Sequence, residues 1–380
     1  MDFKLTEEQK MIQQTAREFA RAELAGDAIE RDEKALFPTE AVKKLGEMGF
    51  LGMITPEKYH GAGLDMLSYV LALEEIARVD AATCVIMSVT NSLCQFVITT
   101  WGTEEQKEKY LIPLAEGKKL GAYSLSEPQS GSDAAAMRTF AERQGDYYVI
   151  NGTKNWVTNG KSADTYIVFA LTEKGVGHKG VSAFIVEKGW EGFTQGKKED
   201  KLGIRSSDTC ELIFDNCKVP AENLLWEEGK GFNIAMATLD GGRIGIAAQA
   251  LGIAQASLDK AVAYAKEREQ FGKPIARFQA IQFKIAEMAA NIDAARMLTY
   301  RAAIMKTNGE KVTRESSMAK YFASDTAMKA AQEAVQIHGG YGYIKEYGVE
   351  RLMRDAKITQ IYEGTNEIQR VVIARELLKD

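Results

Sequence analysis

Residues 165–186 read TYIVFALTEKGVGHKGVSAFIV, and this stretch decides between two fold classes. Its two ends are rich in β-branched and aromatic residues, which is typical of β-strands. Between them lies a literal G-x-G-x-x-G pattern at residues 175–180. That pattern binds a dinucleotide phosphate only where it follows a strand and begins a helix. Because a second strand follows here, we predict a hairpin loop and not a nicotinamide-dinucleotide site.

Two further β-rich runs lie on either side of this stretch, at residues 147–151 and 210–214. Turn residues such as Gly, Asp and Asn separate the four runs, as in antiparallel sheets. Strands and helices do not alternate along the chain, which disfavours a doubly wound fold. We therefore predict a middle antiparallel β-domain over residues 120–226, as a sandwich or barrel.

Helical patterns occupy both ends of the chain. Thr6 and Gln9 form a capping-box pattern before apolar residues at helical spacing. Two long apolar stripes at residues 251–265 and 278–295 indicate an antiparallel helical bundle. The predicted fold class is thus α+β, mainly α. An N-terminal helical domain covers residues 1–119, and a C-terminal helical domain covers residues 227–380.

Composition and charge exclude several classes of protein. The formal net charge is −5, and no polybasic run indicates nucleic acid or an anionic membrane. No run of about 18 apolar residues is seen, so we expect no membrane insertion. The N-terminus lacks the apolar core of a signal peptide, and a cytoplasmic protein is expected. The four Cys and three His residues form neither a zinc motif nor a convincing catalytic triad, so no metal is predicted.

Three segments combine polar residues and glycines inside ordered surroundings: 123–133, 155–160 and 360–370. Taken singly, none of the three segments establishes a site. The first is equally compatible with a structural turn, the second with a core tryptophan, and the third with a solvated loop. Glu363 is a candidate proton-abstracting base, because burial can raise a carboxyl pKa. The helix that Thr365 would cap has the opposite effect, and the sequence leaves this balance open.

Together these segments resemble the acyl-CoA dehydrogenase family over essentially the whole chain. Residues 125–133 (LSEPQSGSD) are similar to its first signature, and residues 360–370 (QIYEGTNEIQR) to its second. The other similar blocks are residues 156–158, 219–224, 240–243, 268–273 and 336–342. The pattern is most similar to the short-chain, butyryl-CoA type.

The resemblance implies a C-terminal four-helix bundle, a homotetramer and non-covalent FAD. It also implies dehydrogenation of an acyl-CoA substrate to the trans-2-enoyl-CoA, with electron transfer flavoprotein as electron acceptor. Glu363 would abstract the α-proton, and flavin N5 would accept the β-hydride. Two rivals are an acyl-CoA oxidase and a non-catalytic acyl-CoA or flavin-binding protein. Oxidases usually carry an additional C-terminal domain, and binding alone needs no Glu363, so we favour the dehydrogenase.

The matched positions also imply binding roles. Residues expected at the flavin of the same chain are Tyr123, Leu125, Ser126, Ser132, Trp156, Val157 and Thr158, with Thr365, Asn366 and Glu367 from the last loop. Residues expected to reach the FAD of a neighbouring subunit are Arg268, Phe271, Gln279, Gln336, Ile337, His338, Gly339 and Gly340. Residues expected at the acyl-CoA are Ser132, Asp240, Gly241, Gly242, Arg243 and Gly364. Some branches of the family carry the base at the position of Gly242, so glycine there favours Glu363.

Overall fold

The N-terminal part of the chain is helical in the computed structural model, which describes residues 4–379. The predicted capping box is present: the Thr6 hydroxyl accepts from the Gln9 N–H, and the Gln9 side chain accepts from the Thr6 N–H. The helices of this part are α1 (Glu7–Phe19), α2 (Ala28–Lys34), α3 (Thr39–Glu47), α4 (Met66–Ala77), α5 (Ala81–Ser88), α6 (Phe96–Trp101), α7 (Glu104–Gln106) and α8 (Ile112–Ala115).

The segment Ala81–Trp101 differs from the expectation that the chain has no apolar run long enough to cross a membrane. A π-helical stretch joins α5 to α6, and the resulting segment Ala81–Trp101 is long and apolar enough to cross a membrane by length and composition. The expectation that no such run exists was therefore wrong. Polar residues such as Asn91 and Gln95 interrupt the apolar run in the sequence, but both hydrogen-bond inside the fold. In its most apolar window 94% of the segment is buried within the protein, so its apolar surface is used in the core.

The middle part is an eight-stranded sheet with the order β6-β7-β3-β2-β4-β5-β8, and β1 pairs with β4. The strands are β1 (Gly121–Ser124), β2 (Phe140–Gln144), β3 (Tyr147–Thr158), β4 (Thr165–Leu171), β5 (Val181–Glu187), β6 (Phe193–Lys198), β7 (Thr209–Pro220) and β8 (Leu224–Leu225). Strands β4 and β5 are antiparallel, with Leu171 opposite Val181. The predicted hairpin loop at residues 175–180 is thus confirmed.

We predicted an antiparallel sheet from the sequence, but two of the strand pairs are parallel. Strand β1 runs parallel to β4, with Gly121 opposite Thr165, and β2 meets the end of β4 in parallel. Parallel neighbours need a long connection that returns the chain to the same edge. Strands β2 and β3 supply that connection between β1 and β4.

The C-terminal part returns to helices and confirms the predicted fold class. Its helices are α9 (Gly231–Glu267), α10 (Gln279–Thr307), α11 (Thr313–His338), α12 (Val349–Thr359) and α13 (Asn366–Leu377). A hairpin of β9 (Glu269–Gln270) and β10 (Lys273–Pro274) lies between α9 and α10. The small residues Ala254 and Ala265 of the first predicted stripe, and Met288 and Ile292 of the second, are buried.

Ion pairs and backbone contacts hold α12 against the other two parts of the chain. Arg354 of α12 donates to Asp32 of α2 at 2.7 Å. The adjacent Asp355 accepts from the Ile204 N–H of the middle part at 2.5 Å. Since α12 ends four residues before Glu363, these contacts fix the start of the loop that carries the candidate base.

Candidate active site

Glu363 lies in the short loop between α12 and α13. Its φ is 54°, in the left-handed region, and Gly364 follows with a φ of 88°. A non-glycine residue in this region costs on the order of 1–3 kcal/mol and persists only where its surroundings hold it there. Thr365 then caps α13, its hydroxyl accepting from the Ile368 N–H at 3.3 Å. The loop is therefore held by contacts beyond its own sequence.

Those contacts come from α11 and α13. Lys320 Nζ donates to Gly364 O at 2.8 Å and to Asn366 Oδ1 at 3.0 Å. Gln369 Nε2 donates to Glu363 O at 3.1 Å and to Gly364 O at 2.9 Å. Two successive carbonyl groups of the loop are thus bound by side chains of the helices. This arrangement orients both peptide groups that flank Gly364.

Two polar groups of Glu363 have no partner among the described residues. One is Oε2, which is buried and accepts no hydrogen bond from residues 4–379. Within residues 4–379, no hydrogen bond joins the Glu363 N–H to another residue. Gly242 of α9 lies against the carboxylate, and a Cβ at that position would collide with Oε2. A buried carboxylate and a free N–H therefore coexist at one residue.

Burial raises the pKa of Glu363 to about 7, against the opposing effect of the cations Arg243 and Lys320. The balance that the sequence left open is thereby decided in favour of a raised pKa. A carboxyl group with a pKa near neutrality is well suited to general-base chemistry, because it is both ionised and basic at the working pH.

Arg243 belongs to the predicted substrate segment of α9, and its charge also acts on Glu363. Its Nη1 donates to Asp240 at 2.9 Å and to Ser317 at 3.4 Å, while its Nε is buried and finds no partner in the described part of the chain. Asp240 also accepts from Thr313 at 2.6 Å. Among the predicted substrate residues, Asp240 and Arg243 thus already bind one another, and Gly242 contacts Glu363.

The first two predicted segments lie side by side in the middle part. The Asn155 N–H donates to Ser126 O at 2.9 Å. Lys154 fixes the first segment through two contacts. Its Nζ forms a fully buried ion pair with Glu127 at 2.8 Å and also donates to Leu125 O at 3.1 Å. Ser132, farther along this segment, is exposed.

Tyr123 connects these segments to the third. It lies in β1, and its buried hydroxyl has no hydrogen-bond partner in the range that the structure describes. Burial and the nearby Glu363 raise its pKa well above the usual value. The structure therefore brings residues 123–133, 155–160 and 360–370 together around one site. In the third segment Thr365 is half-buried and Asn366 is buried, whereas Glu367 is exposed.

Trp156 presents its ring to solvent beside this site. It has a φ of 62° at an irregularity in the β3–β7 pairing and is 64% exposed, while Val157 is buried and Thr158 half-buried. An exposed tryptophan beside unpartnered buried polar atoms fits a flat heteroaromatic ligand with hydrogen-bonding edges. Besides Tyr123, such atoms occur on Asn155 and Gln369.

Five of the residues predicted to reach a neighbouring flavin, Arg268 and residues 337–340, form a second cluster. A cavity of about 520 Å³ is lined by Arg268, Tyr341 and residues 337–340. His338 stacks on Tyr264 with ring centroids 4.2 Å apart, and burial lowers its pKa. Gln336 and Gln279, at the neighbouring helix ends, are exposed.

This second cluster is far from the first within one chain. Gly242 of α9 and Arg268, the residue that follows the last residue of α9, are separated by 26 positions, which corresponds to roughly 39 Å of helix. Phe271, at the tip of the β9–β10 hairpin, is 92% exposed and has a φ of 53°. An apolar ring in a strained and exposed turn is suited to contact with another molecule.

Sequence reasoning missed the residues that support the site from behind. Lys320, Lys154, Glu127 and Gln369 are all buried. For Lys320 a signal was available, since it shares the buried side of α11 with Ser316, Ser324 and several alanines. A lysine on a stripe of small buried residues indicates a specific internal contact.

Three family models match the chain. Acyl-CoA dehydrogenase, N-terminal domain, matches residues 6–118; the middle-domain model matches 122–217; and the C-terminal-domain model matches 229–378. The chain is 52% identical to a short-chain specific acyl-CoA dehydrogenase of Clostridium acetobutylicum, over 100% of both chains.

Two solved structures are also similar over 100% of both chains. Butyryl-CoA dehydrogenase from Megasphaera elsdenii is 54% identical, with a TM-score of 0.98. A chain in a structure described as electron transferring flavoprotein of Acidaminococcus fermentans, concerned with flavin-based electron bifurcation, is 56% identical, with a TM-score of 0.99.

Proposed function

The chain belongs to the acyl-CoA dehydrogenase family, and we propose that it converts a short-chain acyl-CoA to the trans-2-enoyl-CoA with FAD as cofactor. The observation that carries this proposal is the carboxylate of the half-buried Glu363, whose Oε2 is buried without a partner among the described residues and whose pKa is raised. A protein that only bound the ligand would not need such a group.

Glu363 acts as the base that removes the α-proton of the thioester. An α-proton is weakly acidic, so the negative charge that develops on the thioester oxygen must be stabilised. The Glu363 N–H has no partner among residues 4–379 and is available as a donor to that oxygen. Exclusion of water by the acyl chain desolvates the carboxylate further and increases its basicity.

FAD, when bound, supplies the acceptor of the β-hydride at flavin N5. The residues that would hold it are Trp156 as the stacking surface, Thr158 and Ser126 as hydroxyl donors, and the segment containing Tyr123. The buried hydroxyl of Tyr123 and the side-chain oxygen of Asn155 lack partners, which supports a polar ligand at this position. Asp240 and Arg243 would contact the acyl-CoA, with Gly364 near its thioester.

The working form is a homotetramer in which FAD contacts two subunits. The distance of roughly 39 Å along α9 between the two clusters supports this arrangement, since Arg268 is remote from Gly242 and from the Glu363 carboxylate that Gly242 contacts. The exposed ring of Phe271 would contact the cofactor of the neighbouring subunit.

Electron transfer flavoprotein is the proposed acceptor of the electrons. The similarity to a chain in an electron transferring flavoprotein structure supports this assignment. The cytoplasmic location stays a prediction.

Anaerobic titration with acyl-CoA esters of increasing length tests the function. We expect a yellow protein whose flavin absorbance is bleached by butyryl-CoA, with kcat/KM higher for C4–C6 esters than for C12 and longer ones. Each methylene that found room would add about 0.8 kcal/mol of binding, so a closed pocket should produce a fall and not a plateau. A colourless protein, or no bleaching with any ester, would contradict the proposed activity. A rise in kcat/KM from C4 to C12 would contradict only the chain-length preference.

A further inference from the structure

We propose that Lys320 is a positioning residue for Glu363, holding the loop that carries the base and placing a positive charge beside it. This inference rests on the proposed function, since it assigns a role within the same site. Lys320 itself is not placed in contact with acyl-CoA or FAD.

The geometry of the ammonium group shows what it holds. Lys320 is fully buried in α11, and its Nζ bonds to Gly364 O and to the Asn366 side chain, at either end of the turn after Glu363. Asn366 is fixed in turn by Ser324 at 2.9 Å and by Asp325 at 2.8 Å. One side chain thus ties the left-handed turn at Glu363 and Gly364 to a long helix.

The choice of lysine is not explained by packing. Its neighbours on the buried side of α11 are small residues, and an apolar side chain of similar length would fill the same volume. Burial of an ammonium group is costly unless it is paired. Among the described residues no carboxylate lies within 4 Å of Nζ, so neutral oxygens are its hydrogen-bond partners. A lysine kept in such an environment indicates an electrostatic role in its protonated form.

The charge of Lys320 is coupled to that of Glu363. Burial lowers the pKa of Lys320 to about 7, while the Glu363 carboxylate opposes that shift. Reciprocally, Lys320 and Arg243 oppose the rise of the Glu363 pKa. Lys320 therefore favours the ionised base that abstracts the proton. Asp325 and Glu367 also oppose the fall of the Lys320 pKa. Burial, and to a smaller extent the Glu363 carboxylate, raise the pKa of Tyr69, Tyr123 and Tyr362, which surround the pair.

The test measures the rate of anaerobic flavin reduction by butyryl-CoA between pH 5.5 and 9.5. In Lys320→Met the cation is lost, and we expect the rate at pH 7 to fall ~10–100-fold. We also expect the acid limb of the profile to move to higher pH by about 1 pH unit, because an opposite charge no longer stabilises the carboxylate. The rate should therefore recover partly above pH 8.

Two further variants separate charge from hydrogen bonding. Lys320→Arg keeps the charge, and its acid limb should stay near that of the wild type even if its rate is lower. Lys320→Gln keeps a donor without the charge, and its limb should move as in Lys320→Met. The Gln variant also preserves the test if the Met variant does not fold.

Lys201→Met is the matched control. Burial lowers the pKa of Lys201 to about 8, and its Nζ donates to Ser207 O, but Glu363 is not among the charges that act on it. Its acid limb should be that of the wild type. A purely structural role of Lys320 would lower the rate equally at every pH, and an unmoved limb in both the Met and Gln variants would overturn the proposal. Failure of the wild type itself to reduce its flavin would instead contradict the proposed function.

Discussion

Replacement of Gly242 by alanine should lower the rate of flavin reduction by displacing the Glu363 carboxylate, although Glu363 itself is unchanged. At Gly242, α9 closely approaches the Glu363 carboxylate. A Cβ at this position would lie 2.9 Å from Glu363 Cδ and 2.7 Å from Leu93 Cδ2, and closer still to Oε2. Because the added methyl group lies between two side chains, it must displace at least one of them.

The size of the effect follows from these distances. To reach ordinary van der Waals contact at 3.4 Å, Glu363 Cδ must move by at least 0.5 Å, and Oε2 by more. A misplacement of about 1 Å in an active site can cost ~10²-fold in rate. We therefore expect the rate of flavin reduction by butyryl-CoA to fall between about 10- and 100-fold in Gly242→Ala, with FAD retained.

Stopped-flow reduction under anaerobic conditions measures this rate directly. Gly241→Ala is the control for folding, since a Cβ there meets nothing within 4 Å. Alanine in a helix interior is more favourable than glycine by roughly 0.5–1 kcal/mol, so Gly241→Ala should unfold at a slightly higher temperature than the wild type. A Gly242→Ala protein that folds, holds FAD and reduces it within twofold of the wild-type rate would refute the reasoning.

Three other outcomes are expected. Glu363→Gln should keep FAD and bind acyl-CoA. Its flavin should be reduced at least ~10²–10⁴-fold more slowly than in the wild type, because an amide cannot accept the proton. Near-normal bleaching of the flavin would exclude Glu363 as the base. Since the pKa of Glu363 is raised to about 7 and the carboxylate is the active form, the reduction rate should fall roughly tenfold per pH unit below pH 7. A rate that stays level down to pH 5 would contradict this. Arg268→Ala should release FAD more readily on gel filtration by loss of a charge-assisted contact worth roughly 1.5–3 kcal/mol. A wild-type monomer with one FAD per chain would be inconsistent with a cofactor shared between subunits.

Much of the fold was predictable because its signals are local. The capping box at Thr6, the strand composition of residues 165–186 and the apolar periodicity after residue 251 depend on neighbours within a few turns. The errors arose where the outcome depends on distant partners. Strand β1 is parallel because two later strands separate it from β4, and Asn91 is buried because Phe50 O, forty-one residues earlier, accepts its hydrogen bond.

For the site, the amino-acid sequence specifies which residues are present and their local setting: a carboxylate in a loop, followed by a glycine and a helix cap. Tertiary structure alone decided their chemistry. The pKa of Glu363 reflects burial against α9 and the charges of Arg243 and Lys320, which lie 120 and 43 positions away in the chain. The Arg268 cluster is separated from that base because α9 is long and continuous. Burial, electrostatic coupling and separation are properties of non-local contacts, and no local pattern in a single sequence specifies them.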